Sequence, residues 1–254
     1  PARTSAPAAR RRFTPGTIAA AAALLAVFAI QALVAAQRDS VTIDEFIHLP
    51  IGLNALQTAD LRQDPINSHL PRMLAALPLL VDRPVFAPPP GTLAWGFGGH
   101  FMQANAERYQ EFYVRGRAVI IVLSLLAAGV MARWAFDLYG AHAALAALAL
   151  FAFSPSLLAH GHLVTLDMAG TLGFLLALYA NWRLLDAPTT RRAVWLGLAI
   201  GAANLLKLSG PVLVAIIVTT WAIRIAAEPR NRLPLSTWAK LLAIAGAVTL
   251  ATIN

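Results

Sequence analysis

The chain alternates between long apolar segments and polar connections, a pattern typical of helical membrane proteins. The first apolar segment covers residues 17–36 and carries no charge. About 20 residues at a rise of 1.5 Å cross a hydrocarbon core of ~30 Å. Further apolar segments are predicted at residues 118–132, 141–158, 163–182, 193–206, 211–225 and from about Trp238 onward. The fold class expected is therefore all-α, a polytopic transmembrane helix bundle.

The ends of the chain suggest a tail and a continuation. Residues 1–16 are basic and rich in Pro and Ala, which favours a disordered cytoplasmic tail before a membrane domain at 17–254. We expect the sequence to be the N-terminal part of a longer protein, because its last apolar segment has no polar flank. A cleaved signal peptide remains an alternative for the first segment, since Val34-Ala35-Ala36 resembles a cleavage site.

Residues 37–117 form a long first connection that is too interrupted by Pro and Gly to span a membrane. Residues 71–84 are predicted to form one amphipathic helix in the interface, with Arg72 and Arg83 at its edges. Residues 87–100 are predicted to be rich in turns, with Trp95 and Phe97 at the headgroup level.

Composition agrees with a lipid environment and argues against a soluble domain. The chain is 58% hydrophobic and 13% charged, with a mean hydropathy of +0.64, whereas soluble domains carry about 25% charged residues. The net charge of +8 does not indicate nucleic-acid binding, because basic residues flank apolar segments instead of forming one face. The absence of cysteine excludes disulfides and thiolate metal sites.

The distribution of Lys and Arg predicts the orientation. With the N-terminus in the cytoplasm, the cytoplasmic side receives twelve of the 20 basic residues and three of the 12 acids. This asymmetry follows the positive-inside rule. It places the first connection in the periplasm of a bacterial inner membrane.

An adjacent pair of acidic residues is the first candidate for catalysis. Asp44 and Glu45 lie early in the first connection, and His48 follows one helical turn after Asp44. Neighbouring side chains on a helix diverge by about 100°, so the two carboxylates are not expected to face one substrate atom. The alternative is capping, with Thr42 as N-cap and Glu45 at position N3.

The predicted orientation brings further ionisable residues to the same side. Asp167, His160, His162 and Lys207 all fall at the outer ends of apolar segments. Charges at membrane depth are costly and mark functional sites. Structural alternatives remain for Asp167 as a helix-dipole charge and for Lys207 as a snorkelling side chain. His69 in the first connection either contacts a phosphate or caps a turn.

Four segments, taken in order, resemble a known enzyme family. They are DEFIHLPIGLNAL, DPINSHLPRMLAALPLL, RAVIIVLSLL and FSPSLLAHGHLVTLDMAG. Over roughly residues 15–225 the chain resembles membrane glycosyltransferases that use polyprenyl-phosphate sugars, of the protein O-mannosyltransferase-like branch of the GT-C fold (glycosyltransferase family 39). The resemblance implies transfer of a sugar to an acceptor hydroxyl at the periplasmic face, with inversion at C1.

The resemblance also implies roles for individual residues. Asp44, Glu45 and Asp167 would be the catalytic acids, with Asp44 the preferred base. Some relatives use a divalent metal ion, for which Asp44, Asp167 and His162 are the candidate ligands. The predicted substrate-binding residues, for the donor and its phosphate, are His48, His69, Arg72, Arg117, His160 and Lys207.

Two points qualify the resemblance. The family's His-Pro-Pro-Leu segment with a following Lys is here His69-Leu70-Pro71-Arg72, with Leu74 where the Lys is expected, so Arg72 is the substitute cation. A lipid-carrier flippase or a non-enzymatic assembly subunit would also suit a polytopic membrane chain. A flippase, however, is expected to carry polar residues at the midplane of several spans, whereas here they collect at one edge.

Overall fold

The computed structural model describes residues 13–89, 91–227 and 234–253, and within these ranges it contains helices and no strand. Residues 1–12 of the predicted tail and Arg230 and Arg232 of a predicted cytoplasmic loop lie outside them. In chain order the helices are α1 (Pro15–Arg38), α2 (Ile43–Thr58), α3 (His69–Ala76), α4 (Leu79–Asp82), α5 (Ala94–Ala104), α6 (Tyr109–Tyr139), α7 (Ala141–Ala152), α8 (Pro155–His160), α9 (Asp167–Asp186), α10 (Thr190–Leu206), α11 (Gly210–Ala227) and α12 (Leu235–Ile253). The all-α prediction is confirmed.

Helix α1 shows why the first apolar segment folds as predicted. Thr14 is its N-cap, and the Thr14 hydroxyl accepts a hydrogen bond from the Thr17 N–H at 3.2 Å. Pro15 follows at the first helical position, where a missing N–H costs nothing. Large apolar side chains such as Ile30 stay exposed on one face, which is the surface expected against lipid.

Three helices of the described residues are long and apolar enough to cross a membrane: α1, α6 and α12. Two shorter apolar helices occur at Ala141–Ala152 and Gly210–Arg224. Many large apolar residues on the bundle are exposed, including Leu150 and Val218. A contiguous apolar exterior of this kind suits lipid and not water, and the prediction of a membrane-embedded helix bundle is confirmed.

The first connection is more helical than the sequence suggested. The amphipathic helix predicted at 71–84 is two short helices, α3 and α4, separated by a turn around Pro78. The turn-rich interpretation of 87–100 is wrong from Ala94 onward, where α5 begins. Helix α2 packs against both α3 and α5. Its Gly52 lies so close to the Arg72 carbonyl group that an added Cβ would overlap the carbonyl oxygen.

Long helix α6 forms the centre of the bundle. It packs against α1, α7 and α9 through small buried residues such as Ala127, Ala128 and Ala132. It begins at Tyr109, nine residues before the predicted span at 118, so Arg117 lies inside the helix. A second apolar cluster joins α9, α10, α11 and α12.

Close helix contacts in the second cluster depend on glycine. An added Cβ at Gly173 of α9 would lie 2.7 Å from the Ala203 Cα of α10. Gly197 and Gly201 of α10 touch α12 at Val248 and Thr252, respectively. Small residues let membrane helices approach closely where apolar burial supplies little driving force. From Gly197 to Gly201 the contact on α12 moves from Val248 to Thr252, so residue numbers increase in the same direction and the two helices run parallel.

The predicted apolar segment 141–158 is interrupted. Helix α7 ends at Ala152, and Ser154 caps the short helix α8 by accepting a hydrogen bond from the Leu157 N–H at 3.4 Å. Residues 161–166 then turn the chain into α9, whose first residue is Asp167. We call the end of the bundle that contains Asp39, Asp167 and Lys207 the site end, and the opposite end the far end.

Candidate active site

A fully buried ion pair joins two of the predicted site residues. The Arg117 Nε donates to Glu45 Oε1 at 2.8 Å, and Nη2 donates to Oε2 at 2.7 Å. Both side chains are 0% exposed. A bidentate guanidinium–carboxylate contact is among the strongest polar contacts in proteins. It fixes the first turn of α2 against α6.

Arg117 also organises the chain between α1 and α2. Its Nη1 donates to the carbonyls of Ala36 and Asp39, and its Nη2 donates to the carbonyl of Ser40, at 2.7–2.9 Å. All three nitrogens of the guanidinium are therefore engaged by protein acceptors. The predicted contact of Arg117 with the donor phosphate does not agree with this arrangement, because no N–H remains to make it.

Glu45 likewise has a structural role. Its carboxylate accepts hydrogen bonds from the Thr42 and Val164 backbone N–H groups at 3.1 and 3.0 Å, so the predicted N3 capping role is present. Burial raises the pKa of the Glu45 carboxyl, but the hydrogen bonds from Arg117, Val164 and Thr42 and the Arg117 charge outweigh it, and the net pKa lies below its ordinary value. Glu45 stays ionised, and its enclosure does not suit it to contact substrate.

Asp44 faces the opposite way. It is exposed, and within the described residues its carboxylate has no hydrogen-bond or ion-pair partner. The predicted divergence of the acid pair is thus observed, with Glu45 directed into the protein and Asp44 directed out of it. An unpaired carboxylate beside a rigidly held neighbour is well positioned to accept a proton.

His48 connects α2 to the segment before α9. Its Nδ1 lies 3.1 Å from the Val164 carbonyl oxygen. Since a carbonyl oxygen only accepts, Nδ1 carries the proton in this contact. Burial lowers the pKa of His48, and the nearby Arg72 charge lowers it further. The ring is therefore neutral near pH 7, and it holds α2 against residues 161–166.

Asp167 and Lys207 form an ion pair at the site end. The Lys207 Nζ lies 2.8 Å from Asp167 Oδ1, and His160 Nδ1 lies 3.4 Å from Oδ2. Side-chain exposures are 41% for Lys207 and 44% for Asp167, so the pair is open to the surroundings. The predicted meeting of Asp167, His160 and Lys207 is observed. The Lys207 stem also packs on Gly170, where an added Cβ would lie 2.6 Å from the Lys207 Cδ and would displace that side chain.

His162 does not fit the predicted metal site. Its Nε2 contacts Asp39 Oδ2 at 2.9 Å, and its Nδ1 contacts the Leu158 carbonyl at 2.8 Å. Both ring nitrogens lie against protein oxygen atoms, so neither faces open space where a metal ion could bind. In the described part of the chain no group of three or more His, Asp or Glu side chains is arranged to hold a metal ion. Asp44, Asp167 and His162 are thus not brought together as such a group in this part of the chain, and the use of a metal ion stays a prediction.

Arg72 and His69 lie at the start of α3, beside α2. Arg72 is fully buried, and its Nη2 donates to Asp64 Oδ2 at 2.6 Å, while its Nε and Nη1 have no partner among the described residues. Burial raises the pKa of Asp64, but hydrogen bonds from Asn67 and Arg72 bring it below its ordinary value. Unpartnered buried donors are rare, and here they are two of the three guanidinium nitrogens of Arg72, both enclosed by the protein.

One contact at the site end was not anticipated. Asp39, the C-cap residue of α1, pairs with His162 across the bundle. In the sequence Asp39 looks like an ordinary polar flank after an apolar segment. Only the acidic character of that flank, next to Arg38, could have drawn attention to it.

The structure thus brings most predicted residues to one end of the bundle. α2 contacts the 161–166 segment through Glu45 and His48, and Asp167 follows that segment directly. The site combines an exposed carboxylate without a partner among the described residues, an open Asp–Lys pair and a fully buried arginine. Such an arrangement can accept a proton and hold a phosphate beside an apolar membrane surface.

Comparison with known protein families identifies a family for this chain. Residues 111–253, more than half of the 254 residues, match the family described as dolichyl-phosphate-mannose-protein mannosyltransferase. The matched range contains Asp167 and Lys207 and begins after Asp44. Searches of curated proteins and of solved structures gave no match. From the family match and the membrane helix bundle we conclude that the chain belongs to the dolichyl-phosphate-mannose-protein mannosyltransferase family, a family of membrane glycosyltransferases.

Proposed function

We propose that the protein transfers a sugar from a polyprenyl-phosphate donor to an acceptor hydroxyl, with inversion at the sugar C1. The site end faces the periplasm of a bacterial inner membrane, and the carrier's prenyl chain lies in the bilayer. Family membership supports glycosyl transfer as the reaction type. The carrier, the stereochemistry and the membrane face are our inference.

The observation that carries this proposal is the contrast within the acid pair. Glu45 is immobilised by Arg117. Asp44, the preceding residue, is exposed and has no partner among the described residues. Preorganisation of this kind positions a general base without holding it in a competing ion pair. Asp44 also belongs to the end of the bundle where Asp167 and Lys207 meet.

The reaction then proceeds in one displacement. The Asp44 carboxylate accepts the proton of the acceptor hydroxyl as that oxygen bonds to the sugar C1. The bond between C1 and the phosphate oxygen breaks on the opposite face, and polyprenyl phosphate leaves with the electron pair. The configuration at C1 is therefore inverted, and no covalent enzyme intermediate is needed.

Cations at the site end stabilise the leaving phosphate. Lys207 is half exposed and can contact a phosphate as a point charge while it remains near Asp167. Arg72, the cation expected in place of the family's lysine, is fully buried, so its charge acts on the phosphate at a distance and not through a direct contact. Charge stabilisation of a leaving group by fixed donors lowers the barrier directly.

The test is the Asp44→Asn variant, assayed for sugar transfer from a polyprenyl-phosphate mannose with the protein in proteoliposomes. General bases contribute about 10²–10⁴-fold, so we expect a loss of that order in kcat at normal expression and stability. Glu107→Gln is the matched control, since Glu107 is also an exposed acid of the first connection and has no ion-pair partner among the described residues. Unchanged transfer by Asp44→Asn would remove Asp44 from the mechanism.

Orientation is tested separately. The chain has no cysteine, so single cysteines at Thr92 in the first connection and at Thr190 at the far end can be labelled in intact cells. A membrane-impermeant maleimide is expected to modify the cysteine at position 92 and not the one at 190. The reverse pattern would invert the arrangement and exclude a periplasmic site.

A further inference from the structure

A concave region lies at the far end of the bundle, between the C-terminal part of α9 and the first turns of α10. Its volume is about 680 Å³, and its lining is mainly apolar with a basic rim. The polar part includes Arg183, Arg191 and Arg192, and the apolar part includes Leu176 and Trp195. None of the catalytic groups discussed above contributes to it.

The charge of this cavity is positive and partly uncompensated. Three arginines line it, and no acidic side chain of the described residues does. Arg191 is exposed and has no hydrogen-bond or ion-pair partner in the described part of the chain. Two acids lie nearby outside the lining, Asp186 at 3.5 Å from Arg192 and Asp137 at 3.6 Å from Arg183. Arg191 is the arginine left to attract an anion.

The remaining basic side chains are held in place. Tyr179 donates to Asp137 at 2.6 Å, and Arg183 Nη1 donates to the Tyr179 hydroxyl at 3.1 Å. Arg192 donates to the carbonyls of Arg183 and Ala187 at the C-terminal end of α9. This network sets the shape of the cavity before any ligand arrives, so binding would cost little ordering of side chains.

The apolar wall completes the pattern. Trp195 is 57% exposed beside the arginines, and Leu176 and Ala199 continue the lining toward the middle of the helices. Tryptophan favours the level of lipid headgroups. A ligand with an anionic head and an apolar body would fit both parts, whereas a soluble anion would leave the apolar wall unused.

We propose that this cavity binds one anionic phospholipid, with its phosphate at Arg191 and an acyl chain against Leu176 and Ala199. Basic pockets between transmembrane helices are a known mode of lipid headgroup recognition. The site is distinct from the catalytic end, because some 16 residues of α9 between Asp167 and Arg183 correspond to about 24 Å of helix. The inference does not depend on the reaction proposed above.

Native mass spectrometry of the detergent-solubilised protein provides the test, with phosphatidylglycerol and phosphatidylcholine of identical acyl chains as probes. We expect wild type to retain phosphatidylglycerol preferentially. Arg191→Gln should weaken phosphatidylglycerol binding about fivefold, the value of one basic residue near an anionic lipid surface, and Arg191→Lys should retain most of the affinity. Because Arg191 is exposed, neither change should alter helicity.

Lys240→Gln is the matched control, since Lys240 is an exposed cation of the parallel neighbour α12 at the same end and does not line the cavity. Its phosphatidylglycerol affinity should equal that of wild type. If both variants lost phosphatidylglycerol affinity equally, the attraction would be diffuse and the proposal would be overturned. Unchanged affinity in Arg191→Gln would show that the cavity is not the binding site. Displacement of the lipid by millimolar inorganic phosphate would also overturn it, by identifying a site for soluble anions.

Discussion

Replacement of Arg117 by methionine tests whether the buried ion pair is structural. The change keeps an unbranched apolar stem of similar length and removes five hydrogen bonds, two to Glu45 and three to the carbonyls of Ala36, Asp39 and Ser40. Glu45 would retain its contacts with Thr42 and Val164 but would lose its counter-ion. Removing one partner of a buried pair costs about 3–5 kcal/mol, and we expect the free energy of unfolding to fall by that amount.

The measurement is SDS titration of the protein in mixed micelles, followed by far-UV circular dichroism. Arg108→Met is the matched control, because Arg108 also pairs with a glutamate, Glu111, but both side chains are more than half exposed. An exposed pair contributes about 0–1 kcal/mol. Adding Glu45→Gln to Arg117→Met should recover part of the loss, since no unpaired buried charge then remains.

The pH dependence provides an independent check. The pKa of Glu45 in the folded protein lies below its ordinary value of 4.5, so the folded state binds this proton less readily than the unfolded state. The pair's contribution is therefore complete above about pH 4.5 and is lost as the pH falls through the folded-state pKa. If Arg117→Met unfolded like wild type but bound the lipid donor more weakly, the pair would be a substrate contact and our reasoning would be wrong.

Two further predictions follow from other contacts. Lys207→Gln should change the free energy of unfolding by no more than about 1 kcal/mol, because its pair with Asp167 is exposed, yet it should raise the KM for the donor in the transfer assay. Gly52→Ala should lower the free energy of unfolding by about 1–3 kcal/mol or more, because the new Cβ overlaps the Arg72 carbonyl. Gly129→Ala is the control, since nothing lies within 4 Å of its new Cβ. It should be neutral or stabilise the protein by up to about 1 kcal/mol. SDS titration measures both glycine variants, and equal effects would contradict the packing described.

The helix bundle was predictable because lipid imposes a simple rule on the sequence. Backbone groups in hydrocarbon must be satisfied within the segment, so an apolar run such as residues 17–36 can only be a helix. The grouping of Asp167, His160 and Lys207 followed from the same rule, since alternating spans assign each segment end to one side. Their contacts in the structure agree with that assignment.

Details of the first connection could not be obtained in this way. Its helices depend on tertiary contacts. No periodicity in residues 94–104 indicated α5, whose Gly98 packs directly on Phe46 of α2.

The role of Arg117 was missed for a related reason. At the start of an apolar run, an arginine that reaches the interface and one that is buried by a distant glutamate look alike in sequence, and only the position of Glu45 distinguishes them.

Arg117 links three parts of the chain that meet the bilayer differently. It holds the end of α1, the start of α2 and the interior of α6 at one point. Helices tilt or shift when the thickness of the surrounding bilayer changes, and a displaced α1 would therefore carry α2 and Asp44 with it. The acyl-chain length of the host membrane is thus expected to change the distance between Asp44, the proposed proton acceptor, and the proposed donor phosphate.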